Sequence, residues 1–142
     1  QQPLQRLESD AGGSPDFRLK ISDCRLKAMT PQELKKRTKQ FALRVFRLVE
    51  ALPKTFAGKA IAMQLVRSGS SIGANYRAAC RGRSKAEFRA KLGTVIEEAD
   101  ESAYWLELII EGELLEKSKV EALLNEANEL VAIMVASRKS SE

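Results

Sequence analysis

The sequence contains no histidine, and that absence excludes more than any residue present. Without an imidazole there is no Ser–His–Asp or Cys–His nucleophile system and no His-containing zinc site. The Glu-x-x-His pairs that build di-iron bundles are excluded with them. Cysteine is nearly as scarce: Cys24 and Cys80 are far apart and show no C-x-x-C spacing, so they read as two separate reduced thiols. No apolar run approaches the roughly 20 residues that span a bilayer. No charged start, apolar middle and small-residue cleavage site marks a signal peptide, so a cytoplasmic protein is expected. Prolines are four and aromatics 6%. The remainder is rich in Leu, Ala, Glu, Lys and Arg. With 44% hydrophobic and 30% charged residues over 142 positions, it is the composition of a helical globular domain with its own core.

A net charge of +5 conceals a strong polarity. Residues 1–93 hold 20 Lys/Arg and 7 Asp/Glu, a balance of +13, whereas residues 94–142 hold 4 and 12, a balance of −8. Either the two parts face each other in the fold or they present different surfaces to partners.

Residues 1–29 hold two prolines, two adjacent glycines and no sustained apolar period, and are expected to form a flexible extension. Met29 directly precedes a helix start and is a candidate first residue of the natural product. Four helices are expected over residues 30–139. Thr30, Pro31 and Glu33 combine a cap, a first-turn proline and a capping box. Leu34, Thr38, Phe41, Val45, Leu48 and Leu52 then recur at spacings of four and three, and Pro53 stops the helix. The second helix runs from Thr55–Gly58 to Cys80 or Arg81, with Ala60, Ile61, Leu65, Ile72 and Tyr76 as apolar positions. Its "RSGSSIGAN" stretch, residues 67–75, is weak helix-forming material whose small residues would let another backbone approach closely. A phosphate-cradling loop is the alternative there, without the Gly-Lys-Ser/Thr ending or a preceding strand. "SKAE", residues 84–87, opens the third helix, with Phe88, Leu92, Val95, Ala99, Ser102, Leu106 and Ile109 as its seam and Gly112 as its stop. "SKVE", residues 118–121, opens the fourth, carrying Val120, Leu123, Leu124, Ala127, Leu130, Val131 and Met134 and ending near Arg138 and Lys139. Short connections make neighbours antiparallel, so the expected fold is all-α, an up-down-up-down four-helix bundle.

Residues 64–92, "QLVRSGSSIGANYRAACRGRSKAEFRAKL", carry an ordered set: Arg67 and Ser68, Ser71-Ile72, Asn75, Arg83-Ser84, then Glu87-Phe88 before an apolar helix. With the later "YWLELII", this set resembles the four-helix-bundle proteins named after 23S rRNA intervening sequences, the S23-type proteins, over about residues 33–136. The commoner family form has Glu-Gly soon after the Asn, where this chain reads "NYRAACRG". The resemblance implies a non-enzymatic protein without cofactor or metal that assembles into a ring-like homo-oligomer, a pentamer. Some family genes lie inside 23S rRNA inserts. A similar accessory protein of diversity-generating retroelements binds a reverse transcriptase and nucleic acid, so an enzyme of that class is a candidate partner.

The candidate nucleic-acid-binding residues are Arg77, Arg81, Arg83, Lys85, Arg89 and Lys91, around the junction of the second and third helices. Phosphate contacts there would weaken steeply with salt, and the helix start at Ser84 would add N–H groups aimed at an anion. The competing reading is a solvated helix junction. Against it, Lys85 and Arg89 near a helix start oppose the helix dipole. "KKRTK", residues 35–39, with Arg44 and Arg47, is either a solvated helix face or an extension of the same surface. Stacking aromatics are scarce nearby, so backbone rather than base recognition is expected. Glu97 and Glu101 read as ion-pair partners for a basic helix, not as a metal or acid–base pair. Adjacent Tyr104 and Trp105 cannot both enter one core. The leading function is a homo-oligomeric scaffold that binds RNA or DNA backbones; the alternative is a protein–protein adaptor without nucleic-acid affinity.

Overall fold

Pro31 opens the first helix, where its fixed φ and missing N–H cost nothing. In the computed structural model, which describes residues 29–142, that helix (α1) spans Pro31–Glu50. It is followed by α2 (Phe56–Cys80), α3 (Lys85–Glu111) and α4 (Lys117–Ser140). The extension expected over residues 1–29 lies, but for Met29, outside the described residues, as does Cys24; Cys80 is a free, half-buried thiol. No helix among the described residues is long and apolar enough to cross a membrane.

The α1 seam is buried at Leu34, Thr38, Phe41 and Val45. Leu52 stays buried beyond the helix end, held by turn bonds from Ala51 N to Leu48 O and from Leu52 N to Val49 O. Thr55 starts α2, its hydroxyl accepting from Gly58 N at 3.1 Å. The helix then runs unbroken through residues 67–75, which rules out a phosphate loop there. Its small residues do what their size allows. A Cβ on Gly73 would lie 3.0 Å from Thr38 Oγ1, and one on Gly69 would lie 3.1 Å from Val45 Cγ2. The α1 and α2 backbones therefore close on each other where side chains are absent.

Every expected α3 seam position from Leu92 to Ile109 is buried; Phe88, at the open end, is half-buried. Gly112 caps the helix with an ordinary φ of −82°, and Glu113, at φ 57°, supplies the left-handed residue. Leu114 N to Ile109 O at 2.9 Å and Glu113 N to Ile110 O at 3.0 Å complete a Schellman turn. The fourth helix departs from expectation. It begins at Lys117 with Glu116 as a cap residue that makes no side-chain cap bond, so Ser118 is already inside the helix. The chain leaves the Schellman turn and enters the new helix with its cap residue, Glu116, two residues before the Ser-Lys-Val-Glu motif. Ile133, on the same face as Leu130 and Met134, joins its buried stripe.

The connections span residues 51–55, 81–84 and 112–116, too short for anything but antiparallel neighbours. Each helix packs on the next, α4 returns to α1, and no diagonal pair approaches closely. The fold is an up-down-up-down four-helix bundle. Fully buried Phe41, Leu65, Ile72, Leu92, Leu106 and Leu130 each contribute about 1.5–3 kcal/mol by leaving water. Three hydroxyls share this core. Thr38 donates to Leu34 O at 2.9 Å, Ser102 donates to Glu98 O at 2.9 Å, and Ser68 lies 2.8 Å from Ser102 across the α2–α3 contact.

Candidate nucleic-acid interface

An antiparallel bundle collects at one end the start of α1, the end of α2, the start of α3 and the end of α4. The direct contacts agree. Thr38 lies against Gly73, and Arg138 Nη1 would be 3.4 Å from a Cβ on Gly93. At this end, residues 31–40, 73–93 and 133–142 together hold twelve Lys/Arg and three carboxylates, Glu33, Glu87 and Glu142. The rest of the bundle holds seven and twelve. Sequence polarity has become spatial polarity.

All six candidate residues are exposed at this end, but they do not form one flat patch. Arg81, Arg83 and Lys91 line a cleft of about 400 Å³ at the α2–α3 junction, together with Glu87 and Thr94. Arg77, one turn beyond Gly73, lies on the side nearer α1. Lys85 and Arg89 lie one turn apart on α3, with Gly93 a further turn on, so they turn toward α4 and Arg138. Arg89 and Lys91, about 200° apart around the helix, point to opposite sides. The basic surface therefore wraps around the bundle end.

Local geometry fixes the junction. Ser84 Oγ accepts from Glu87 N at 3.1 Å, and Glu87 Oε1 accepts from Arg83 N at 2.8 Å, one residue earlier than in the usual capping box. Glu87 also lies 3.9 Å from Arg83 Nη2, an exposed pair of little energetic weight. Among the described residues, Arg77, Arg81, Lys85, Arg89 and Lys91 have no ion-pair partner, which leaves their charge directed at solvent.

The remaining candidates divide. In "KKRTK", Arg37 belongs to the α1–α4 seam: its Nε lies 2.7 Å from Glu126 Oε2 and its Nη2 lies 2.8 Å from Glu129 Oε1. Lys36 and Lys39 are exposed and Lys35 is half-buried. Sequence reasoning offered Lys35–Lys39 as an extension but valued Arg138 and Lys139 only as helix-dipole partners. The up-down topology itself was the signal that would have brought both groups to this end.

The acidic cluster is a structural clamp. Arg67 Nη2 lies 2.6 Å from Glu101 Oε2 and its Nη1 lies 3.2 Å from Glu98 Oε1, joining α2 to α3. Trp105 Nε1 donates to Glu101 Oε2 at 2.9 Å. The Arg67 hydrogen bond, aided by that from Trp105, holds the Glu101 carboxyl below its usual range. Glu98, rather than Glu97, is the second carboxylate on Arg67, while Glu97 faces solvent. Trp105 is half-buried, and Tyr104 is exposed with its ring edge-on to Trp105 at 5.3 Å; Ala103 and Leu106 fill the core at that level. Tyr76, buried on α2 near the basic end, has its phenol pushed upward by burial and by a hydrogen bond with Cys80.

The chain belongs to the 23S rRNA-intervening sequence protein family, whose model matches residues 31–136. It is also similar to a crystallised protein of unknown function from the S23 ribosomal protein family of Bacteroides thetaiotaomicron. Identity is 33% and the TM-score 0.69, covering 78% of this chain and 99% of that one. No curated protein matches the chain.

Proposed function

We propose that this protein is a non-enzymatic, homopentameric scaffold that holds RNA or DNA by its backbone at the basic end of the bundle. The observation that carries the reading is the excess of cations at that end, eleven over three carboxylates once Arg37, which is taken up by Glu126 and Glu129, is set aside, with five of the six candidate cations lacking an acidic partner among the described residues. The binding is electrostatic and indifferent to sequence, because among the described residues no exposed aromatic platform accompanies the charge. The family's description points to 23S rRNA as the first ligand to test. A ring would present several basic ends together, so weak single-site contacts would add through effective concentration. A nucleic-acid enzyme such as a reverse transcriptase is the protein partner that fits a scaffold of this kind. Phe56 and Met63, 93% and 75% exposed near the opposite end, are available for such a contact.

A mobility-shift titration with structured RNA across salt concentrations tests the reading. The logarithm of the association constant is expected to fall linearly with the logarithm of salt. Replacing Arg81, Arg83 and Arg89 with Ala is expected to make that slope shallower by about three. Absence of binding at low salt, or binding untouched by the three replacements, would retire nucleic acid as the ligand.

A further inference from the structure

We infer that the outer faces of α1 and α3 are the two halves of one interface between neighbouring copies of this chain. The inference rests on the homo-oligomeric reading and adds to it the surfaces that meet. On α1, the strip opposite the core carries Lys36, Lys39, Leu43, Phe46 and Arg47, with Glu50 closing it. Leu43 and Phe46 are among the few large apolar side chains left exposed, and they stand between cations. On α3, the strip opposite the core carries Glu97, Asp100, Tyr104, Glu107 and Glu111, all exposed, and residues 94–111 contain no Lys or Arg. Each strip thus has an apolar centre in a charged frame, cationic on α1 at Lys36, Lys39 and Arg47 and acidic on α3, with Glu50 the one residue of the α1 strip whose sign matches that of α3.

The bundle cannot match these strips within one chain, because α1 and α3 occupy diagonal corners and do not touch. Two different, complementary surfaces on one protomer make a head-to-tail contact, which closes into a ring when the rotation between copies is a whole fraction of a turn. Height and direction also fit. Val45 lies against Gly69 and Ser68 bonds to Ser102, so Val45 and Ser102 sit at one level, and Phe46 and Tyr104 fall within a turn of each other. α1 and α3 run parallel. A copy rotated about an axis along the bundle brings Leu43 and Phe46 to Tyr104, with Lys39 near Glu97. Among the described residues, Lys36, Lys39, Arg47, Glu97, Asp100 and Glu107 have no ion-pair partner inside the protomer.

The test is light scattering after size exclusion on the full chain, with circular dichroism confirming helix content. Wild type is expected to be oligomeric. Lys36→Glu/Lys39→Glu/Arg47→Glu and Glu97→Lys/Asp100→Lys/Glu107→Lys are each expected to reduce the mass to that of a monomer. The six changes combined in one chain restore opposite signs and are expected to restore the oligomer. An oligomeric wild type whose mass neither triple variant alters overturns these faces as the interface and leaves assembly standing. Loss in both without recovery in the combination overturns the charge pairing. A monomeric wild type overturns the assembly reading itself.

Discussion

Where α2 hands over to α3, Ser84 caps the new helix at Glu87 N and Glu87 holds Arg83 N, and just inside that end Gly73 admits Thr38 at close range. Where α3 hands over to α4, Glu113 stands in the left-handed region, no side chain caps Lys117, and Phe56 lies nearby in water. The first turn sits in the field of twelve cations; the second belongs to the part of the chain where carboxylates predominate. Crowded like charge works against the compact state, and close packing with good caps offsets it. Where charge is mixed, imperfect local geometry is tolerated. The chain thus concentrates its best local structure under its most costly surface, the pattern expected when that surface serves a purpose other than stability.

The contrast is broken most directly by overpacking the basic end. Gly73→Leu drives a side chain into Thr38 and is expected to cost about 3 kcal/mol in urea unfolding. Met63→Gln, on the exposed surface of the other part, is expected to stay within about 0.5 kcal/mol. Repairing the far turn sharpens the contrast from the other side. Glu113→Gly relieves a left-handed residue and is expected to stabilise by about 1 kcal/mol, read as a raised urea midpoint.

Smaller effects separate the two parts by pH. Tyr76 has a folded-state pKa raised above its ordinary 10.0, so above that pH the unfolded chain releases a proton that the native chain retains. Stability is therefore expected to fall in alkali, and Tyr76→Phe is expected to remove that component from the pH dependence of the urea midpoint. Glu101 is the reverse case. Its folded-state pKa lies below 4.5, so its contribution is present above pH 4.5 and is lost as pH falls through the lowered value. Glu101→Gln is expected to flatten the acid side of the curve slightly, since the Arg67 pair is largely exposed.

Much of this architecture was legible in the residues. Leu34, Thr38, Phe41 and Val45, and the α3 run from Leu92 to Ile109, announced their helices by a rhythm of four and three, and each proved buried. The stripe of α2 was harder to read, because Ser68 and Gly69 are buried by close contact rather than by hydropathy. The start of α4 was misplaced because a well-formed capping motif sits inside a helix that a preceding turn had already begun. Arg77 to Lys91 could be picked out as a run of charge, but a run has no third dimension. Only the antiparallel return of α1 and α4 adds Lys35, Lys36, Lys39, Arg138 and Lys139 to the same end, and only helical phase separates Arg89 from Lys91.

The first and last helices approach over the shortest stretch of any packed pair, and there Arg37 grips Glu126 and Glu129. The α2–α3 edge carries an ion clamp too, at Arg67, but there it overlies the most extensive packing in the bundle; at the α1–α4 edge the clasp has far less packing beside it. A clasp of ions yields to salt sooner than a sealed edge does. The α1–α4 edge accordingly depends on an ion pair more than its neighbours do, and because Arg37 and Glu126 are largely covered, salt loosens it less than it would a surface pair.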